Sequence, residues 1–201
     1  MALPGIVFAS GNRHKYLEMR SLLASAGVGL VFGMDLAGPE GIPAVDENRD
    51  TYAGNAVLKA MAWAKALGRS VLADDSGIEV RTLGWGPGVK SARVAPDDGA
   101  RVQWLLEKMK GISDREARFV AVLAFFDVER GRWCLAEGFC HGRIALEPSG
   151  RSGFGYDPIF VPRGFDETLA TLGPDVKSRV SHRSVAAGAL CRMLSGGCVV
   201  E

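Results

Sequence analysis

The sequence predicts a mixed α/β protein with long central strands and helices toward both ends. Three observations predict it. An apolar run at residues 5–9 leads directly into Ser10-Gly11-Asn12 and then into helically spaced apolar residues. Residues 117–128 are too apolar to have a wet face, which suits a strand in the middle of a sheet. Apolar stripes with helical spacing recur at 51–68, 97–110 and 185–194.

Composition sets the outer bounds. The 201 residues are 47% hydrophobic and 23% charged, ordinary for a soluble globular chain. A prior of about 150 residues per domain allows one domain, or two small ones sharing a cleft; with no repeat, low-complexity tract or separable linker, residues 1–201 are read as one domain. The balance of 24 basic against 23 acidic residues gives no global pull toward nucleic acid or an anionic membrane. Cys134, Cys140, Cys191 and Cys198 form no C-x-x-C pair and read as free thiols of a reducing compartment. No window approaches ~18 uninterrupted apolar residues, and the N-terminus lacks a basic region, so the chain is expected to be cytoplasmic, with no membrane partner.

The elements follow in order. Residues 5–9 make a strand, and Tyr16, Leu17, Met19, Leu22 and Leu23 carry the helix after it. A second short strand covers 30–32, and the Gly-, Pro- and acid-rich stretch 33–50 is loop. A helix over 51–68 starts at Asp50 or Thr51, buries Ala53, Ala56, Val57, Ala60, Met61 and Ala64, and ends at Gly68. Val71-Leu72-Ala73 is a short buried strand running into Asp74-Asp75-Ser76-Gly77, with 78–83 as its return. Residues 84–96 are loop and 97–110 helix. Long strands cover 117–128 and 132–146, a Gly-rich loop 148–157, and a short strand 158–162. Pro174 begins a helical turn, and residues 185–194 close the chain as a helix.

Five places carry possible chemistry. Ser10, Gly11, Asn12, Arg13, His14 and Lys15 form a turn between strand and helix, where exposed amides and a helix N-terminus bind anions. The pattern alone fits an ordinary turn equally well. Asp74 and Asp75 point opposite ways if extended, and one of them facing a cleft could bind Mg²⁺ or orient water; otherwise the four residues are a polar turn. Asn55 and Lys59 share a helix face behind Asp46, Glu47 and Asp50; this is either a carboxylate-bearing metal site or a solvated face. In Gly153-Phe154-Gly155-Tyr156-Asp157-Pro158 the glycines let an aromatic ring stand exposed for base stacking, unless Phe154 and Tyr156 simply plug the core. Lys177 suits a phosphate, and Arg183, a donor only, prefers a keto oxygen to an amino group; with Ser181 and His182 they could equally be a basic helix terminus in water.

The order of these motifs is more specific than any one of them. Strand–SGNxxK, NAxxKA, ADDSGIEV–LGxxPGVxSAR, GFGYDPIF and K-x₃-SHR, from Ile6 to about Leu194, resemble the inosine triphosphate pyrophosphatase family. The resemblance implies a long central mixed sheet with two α/β lobes flanking a deep active-site cleft, and a homodimer. It implies Mg²⁺-dependent hydrolysis of non-standard purine nucleoside triphosphates (dITP, ITP, XTP) to the monophosphate and pyrophosphate. By the same resemblance Ser10 to Lys15 cradle the triphosphate and Lys59 faces it. Asp75 is the catalytic and metal-holding carboxylate, Glu47 a further metal ligand, and Ser76 a substrate contact. Phe154, Gly155, Tyr156 and Asp157 bound the base pocket, with Phe154 stacking, and Lys177, His182 and Arg183 read the base and its surroundings.

Three departures stand out, one of them Asp175-Val176 before Lys177, where the family often has acidic residues. Gly54-Asn55-Ala56 replaces the common Glu-Asn-Ala, at a helical cost of roughly 1 kcal/mol against alanine. Lys90 stands where many members have an aromatic before Ser-Ala-Arg. The competing readings are a pyrophosphatase for modified pyrimidine triphosphates and a nucleotide-binding protein that has lost turnover through Gly54.

Overall fold

The apolar run that opens the chain is a strand because both of its faces are covered. In the computed structural model, which describes residues 5–36 and 45–195, β1 (Ile6–Ala9) sends Ile6 and Phe8 into one apolar cluster and Val7 and Ala9 into another. A strand buried on two sides needs four apolar residues in succession, as here. Its ladder is parallel to β2 (Leu30–Phe32) on one side and to β3 (Val71–Val80) on the other.

Among the described residues the sheet has seven strands, in the order β2-β1-β3-β5-β6-β7, with β4 (Gly86–Pro87) pairing antiparallel to β3. β5 spans Glu116–Asp127, β6 Arg132–Ile144 and β7 Phe160–Pro162. β5 therefore has a strand on each side, and its residues are almost all buried. The expectation of a mixed sheet around a central apolar strand holds.

The chain divides into two compact units. Of the described residues, the first comprises 5–36, 45–75, 121–138 and 186–195. Within it, α1 (Arg13–Ala24) and α5 (His182–Ser195, from Ala186 on) supply Tyr16, Met19, Leu23, Ala186, Ala187 and Leu190 to the cluster around Phe8, Leu72 and Leu123. α2 (Tyr52–Leu67) supplies Ala56, Ala60, Trp63 and Ala64 to the other cluster. The Thr51 hydroxyl caps α2 by accepting from the Gly54 amide at 3.1 Å, and Gly68 closes it in the left-handed conformation.

The second unit comprises residues 76–120 and 139–185 and has its own core. Leu105 and Val102 of α3 (Asp98–Lys108) pack there with Ile78, Phe119, Ile144 and Phe160. α4 (Leu169–Val180) is kinked where Gly173 takes φ +80°, so Pro174 begins its second piece.

The structure corrects three expectations. Asp74 to Gly77 are no turn: β3 runs unbroken through them for ten residues. Asp, Ser and Gly favour turns locally, but β3 lies between β1 and β5 and pairs with β1 and β4 on either side of this stretch, and tertiary pairing overrides propensity. Met61 is 55% exposed, and Trp63 takes the buried place expected for it. The final helix begins at His182, not Val185. Of the expected loop 33–50, residues 33–36 form a 3₁₀ turn and 37–44 lie outside the described residues, as does Cys198. Cys140 and Cys191 are free thiols. Burial pushes the Cys140 thiol up to about 11.

Leu123 is fully buried at the centre of the first unit's core. Leu123→Ala is expected to lower the unfolding free energy by about 2–5 kcal/mol in urea titrations. A loss below about 1 kcal/mol would mean that the site collapses around the deletion.

Candidate functional site

Two sets of polar side chains are assembled, one in each unit. The first begins where β1 meets α1. The Asn12 side chain caps the helix by accepting from the Lys15 amide at 3.1 Å, and its own amide donates to Ser10 Oγ at 3.1 Å. Gly11, Asn12, Arg13 and His14 are exposed. The first turn of α1 holds no acidic residue, so the positive end of the helix is not neutralised locally. Arg13 lies over the Phe32 ring at 5.6 Å.

Lys15 reaches from that turn to β3, where its ammonium meets Asp74 Oδ2 at 2.9 Å. Asp74 is fully buried, and a carboxylate there needs such a partner. Lys59 of α2 comes in from a second direction. Its ammonium donates to the Asp74 carbonyl at 3.0 Å and pairs with Glu47 at 3.1 Å. Lys59 and Asn55 are both buried, so the expectation of a solvated helix face is overturned. Alanines at 56, 60 and 64 bring α2 close enough to the sheet for these side chains to reach β3.

Asn55 joins the acidic segment to Asp75. Its side-chain oxygen accepts from the Arg49 amide at 3.0 Å, and its nitrogen donates to the Arg49 carbonyl at 3.3 Å and to Asp75 Oδ2 at 3.2 Å. The Asp75 carboxyl is held above the usual carboxylate range, chiefly by burial and secondarily by Asp74. Lys59, Lys15 and the Asn55 hydrogen bond pull the other way. Such a carboxyl is a better proton acceptor than a solvated one. Among the described residues no three or more His, Cys, Asp or Glu side chains gather to hold a metal. Asp75 and Glu47 are the carboxylates of this set outside the Lys15 ion pair.

Ser76 follows Asp75 on β3 and belongs to the second set. The Arg183 guanidinium donates to Ser76 Oγ at 2.7 Å and lies 5.3 Å from the centre of the Phe154 ring. Lys177 sits 4.4 Å from the same ring centre and pairs with Asp157 at 2.6 Å. Asp157 Oδ2 also accepts from the Phe154 amide at 2.9 Å. His182 is buried and stacks on Phe119 at 4.7 Å and 16°.

Tyr156 behaves differently from its neighbours. Its ring is in the core and its hydroxyl donates to the Ser91 carbonyl at 2.8 Å. Burial pushes that hydroxyl up to about 12. Of the two aromatics in the Gly-rich loop, Tyr156 plugs the core and Phe154 stays partly exposed. Sequence reasoning missed Phe119, Ser91 and Asp98, the last of which holds the Gly155 amide at 2.7 Å. Asp97-Asp98 carried a signal: one acid is enough to cap a helix, and the second is free for other use.

Comparison with known proteins gives this geometry its context. A family model described as the Ham1 family matches residues 6–193. The chain belongs to the Ham1 family. It is 43% identical over 195 residues to a protein of Leifsonia xyli subsp. xyli named dITP/XTP pyrophosphatase, covering 94% of each chain. It is 42% identical over 197 residues to a protein of that name from Mycobacteroides abscessus, again covering 94% of each. It also resembles the solved Ham1 proteins of Staphylococcus aureus (TM-score 0.83, 36% identity, 97% of this chain and 100% of that one) and Coxiella burnetii (TM-score 0.84, 36% identity, 96% and 100%). The resemblance drawn from the order of motifs is thereby borne out at the level of family and fold.

The raised Asp75 pKa has a sign that can be tested. Between the unfolded value of 3.8 and the higher folded value, the native state binds more protons than the unfolded one. Asp75 therefore contributes stability at low pH that is lost as pH rises through its folded pKa. Asp75→Asn removes this dependence. Urea titrations at pH 4 and pH 7 are expected to show the variant gaining on the parent as pH rises. A gap that stays constant would contradict the raised pKa.

Proposed function

We propose that this Ham1-family chain hydrolyses non-standard purine nucleoside triphosphates, dITP, ITP and XTP, to the monophosphate and pyrophosphate. The observation that carries the reading is Asp75, a buried carboxyl with a raised pKa beside Lys15 and Lys59. The names of the relatives, dITP/XTP pyrophosphatase, agree with it.

The reaction needs positioning and charge balance more than a strong nucleophile. Water attacks the α-phosphorus and gives its proton to Asp75. The bond to the oxygen bridging the α- and β-phosphorus atoms breaks, and pyrophosphate leaves. The turn amides of Ser10 to Lys15 and the Lys15 and Lys59 ammonium groups receive the phosphates.

Two lysines stand against the three carboxylates of Asp74, Asp75 and Glu47, so with every group ionised the set carries a net negative charge. A triphosphate brings further negative charge and needs added cations. Mg²⁺ is commonly bound by one or two carboxylates together with substrate phosphates and water, and the pair Asp75 and Glu47 suits that role. The ion would supply neutralisation of phosphate charge.

The second set suits a purine with a keto group. Phe154 offers an aromatic face for stacking. Arg183 has donors only, and His182 stands next to it, so an adenine amino group would leave donor facing donor. By the family resemblance the working form is a homodimer. The free thiols Cys140 and Cys191 agree with a reducing, cytoplasmic setting.

The test is pyrophosphate release from dITP, XTP, dATP and dGTP, with Mg²⁺ and with EDTA. Release from dITP and XTP alone, abolished by EDTA, is the expected result. Asp75→Asn is expected to lower turnover by about 10²–10⁴-fold while ITP binding survives. ITP binding by the parent without pyrophosphate release would favour a binding protein. Full turnover in Asp75→Asn would remove Asp75 from the mechanism.

A further inference from the structure

We infer that Asp98, in the first turn of α3, is a positioning residue that sets the direction of the Phe154 ring and so tunes selection of the base. The inference rests on the reading of Phe154 as the stacking surface. Phe154 lies between Gly153 at φ +82° and Gly155 at φ +62°. With glycine on each side, local sterics leave the ring direction open. Something must close it for a stacking surface to be preorganised.

Two carboxylates do so. The Phe154 amide donates to Asp157 Oδ2 at 2.9 Å, and the Gly155 amide donates to Asp98 Oδ2 at 2.7 Å. These amides belong to the peptide planes on either side of the Phe154 Cα, so both of its backbone torsions are tied. Asp157 is a neighbour in sequence, whereas Asp98 comes from 57 residues away and refers the loop to α3.

Asp98 is itself held. Its other oxygen takes Arg101 Nη1 at 2.7 Å, and the same guanidinium donates to the carbonyls of Ala95 at 3.0 Å and Pro96 at 3.2 Å. The helix does not need Asp98 as its cap, because Asp97 accepts from the Ala100 amide at 2.8 Å. The two adjacent acids thus divide their work, Asp97 for the helix and Asp98 for the loop.

The experiment measures kcat and KM for dITP and the dITP/dATP preference in five proteins. Asp98→Ala is expected to raise KM for dITP about tenfold, part of the value of one stacked base, with kcat within about twofold and the preference reduced. Asp98→Asn keeps an oxygen acceptor for the Gly155 amide and is expected to restore most of the lost KM. Asp97→Ala weakens only the α3 cap and is expected to lower the melting temperature with KM unchanged. Phe154→Ala is expected to match or exceed the KM defect of Asp98→Ala. A defect in Phe154→Ala with a normal Asp98→Ala overturns this inference alone. A KM defect in Asp97→Ala equal to that of Asp98→Ala also overturns it, because the effect would then come from helix stability. A normal Phe154→Ala overturns the stacking reading and this inference with it.

Discussion

The first unit is organised around a carboxylate that has no access to water. Asp74 is fully buried on β3, and the Lys15 ammonium stands 2.9 Å away. Leaving one member of a buried pair alone costs about 3–5 kcal/mol, so strand and helix start must be placed together. Lys59 adds a third element by donating to the carbonyl of the same residue. The arrangement draws the N-terminal turn of α1 and the middle of α2 to one stretch of β3. Asp75, the next residue, inherits its surroundings from that convergence: Lys15 and Lys59 near it and Asn55 on its carboxylate.

The same convergence explains what the sequence displayed and what it hid. β1, α1, α2 and β5 were legible because apolar spacing reports burial, and burial decides those elements. The run Asp74 to Gly77 was misread as a turn because its residue types report local preference, whereas the pairing of β3 is decided by strands distant in sequence. Asn55 and Lys59 were ambiguous for a related reason. Polar residues at helical spacing look alike whether they meet water or a partner, and their partners, Asp75 and the Asp74 carbonyl, lie 20 and 15 residues away. The motif order located the aromatic loop and Ser-His-Arg, but not Phe119 beneath His182 or Asp98 behind Gly155. Those contacts join segments that no local pattern connects.

Gly54 takes on a structural meaning as well. A Cβ at this position would come within 2.9 Å of Thr51 Oγ1 and 3.0 Å of Arg49 Cβ. Thr51 caps α2, and the Arg49 backbone is what Asn55 grips. The missing side chain leaves room for the acidic segment to lie close against the helix. The space a side chain at 54 would take is held by the Thr51 and Arg49 side chains, and Glu47, paired with Lys59, is a carboxylate of that segment.

β3 carries Asp74, Asp75 and Ser76 in consecutive positions, with Lys15 on the first, Asn55 on the second and Arg183 on the third. Side chains along a strand alternate with a period of two. A single codon inserted or deleted in β3 just ahead of this triplet would send each of the three groups to the opposite face while leaving their residue types unchanged. Indels here are a class of lesion distinct from point substitution. The triplet behaves as a reading frame written in three dimensions, in which phase matters as much as the letters.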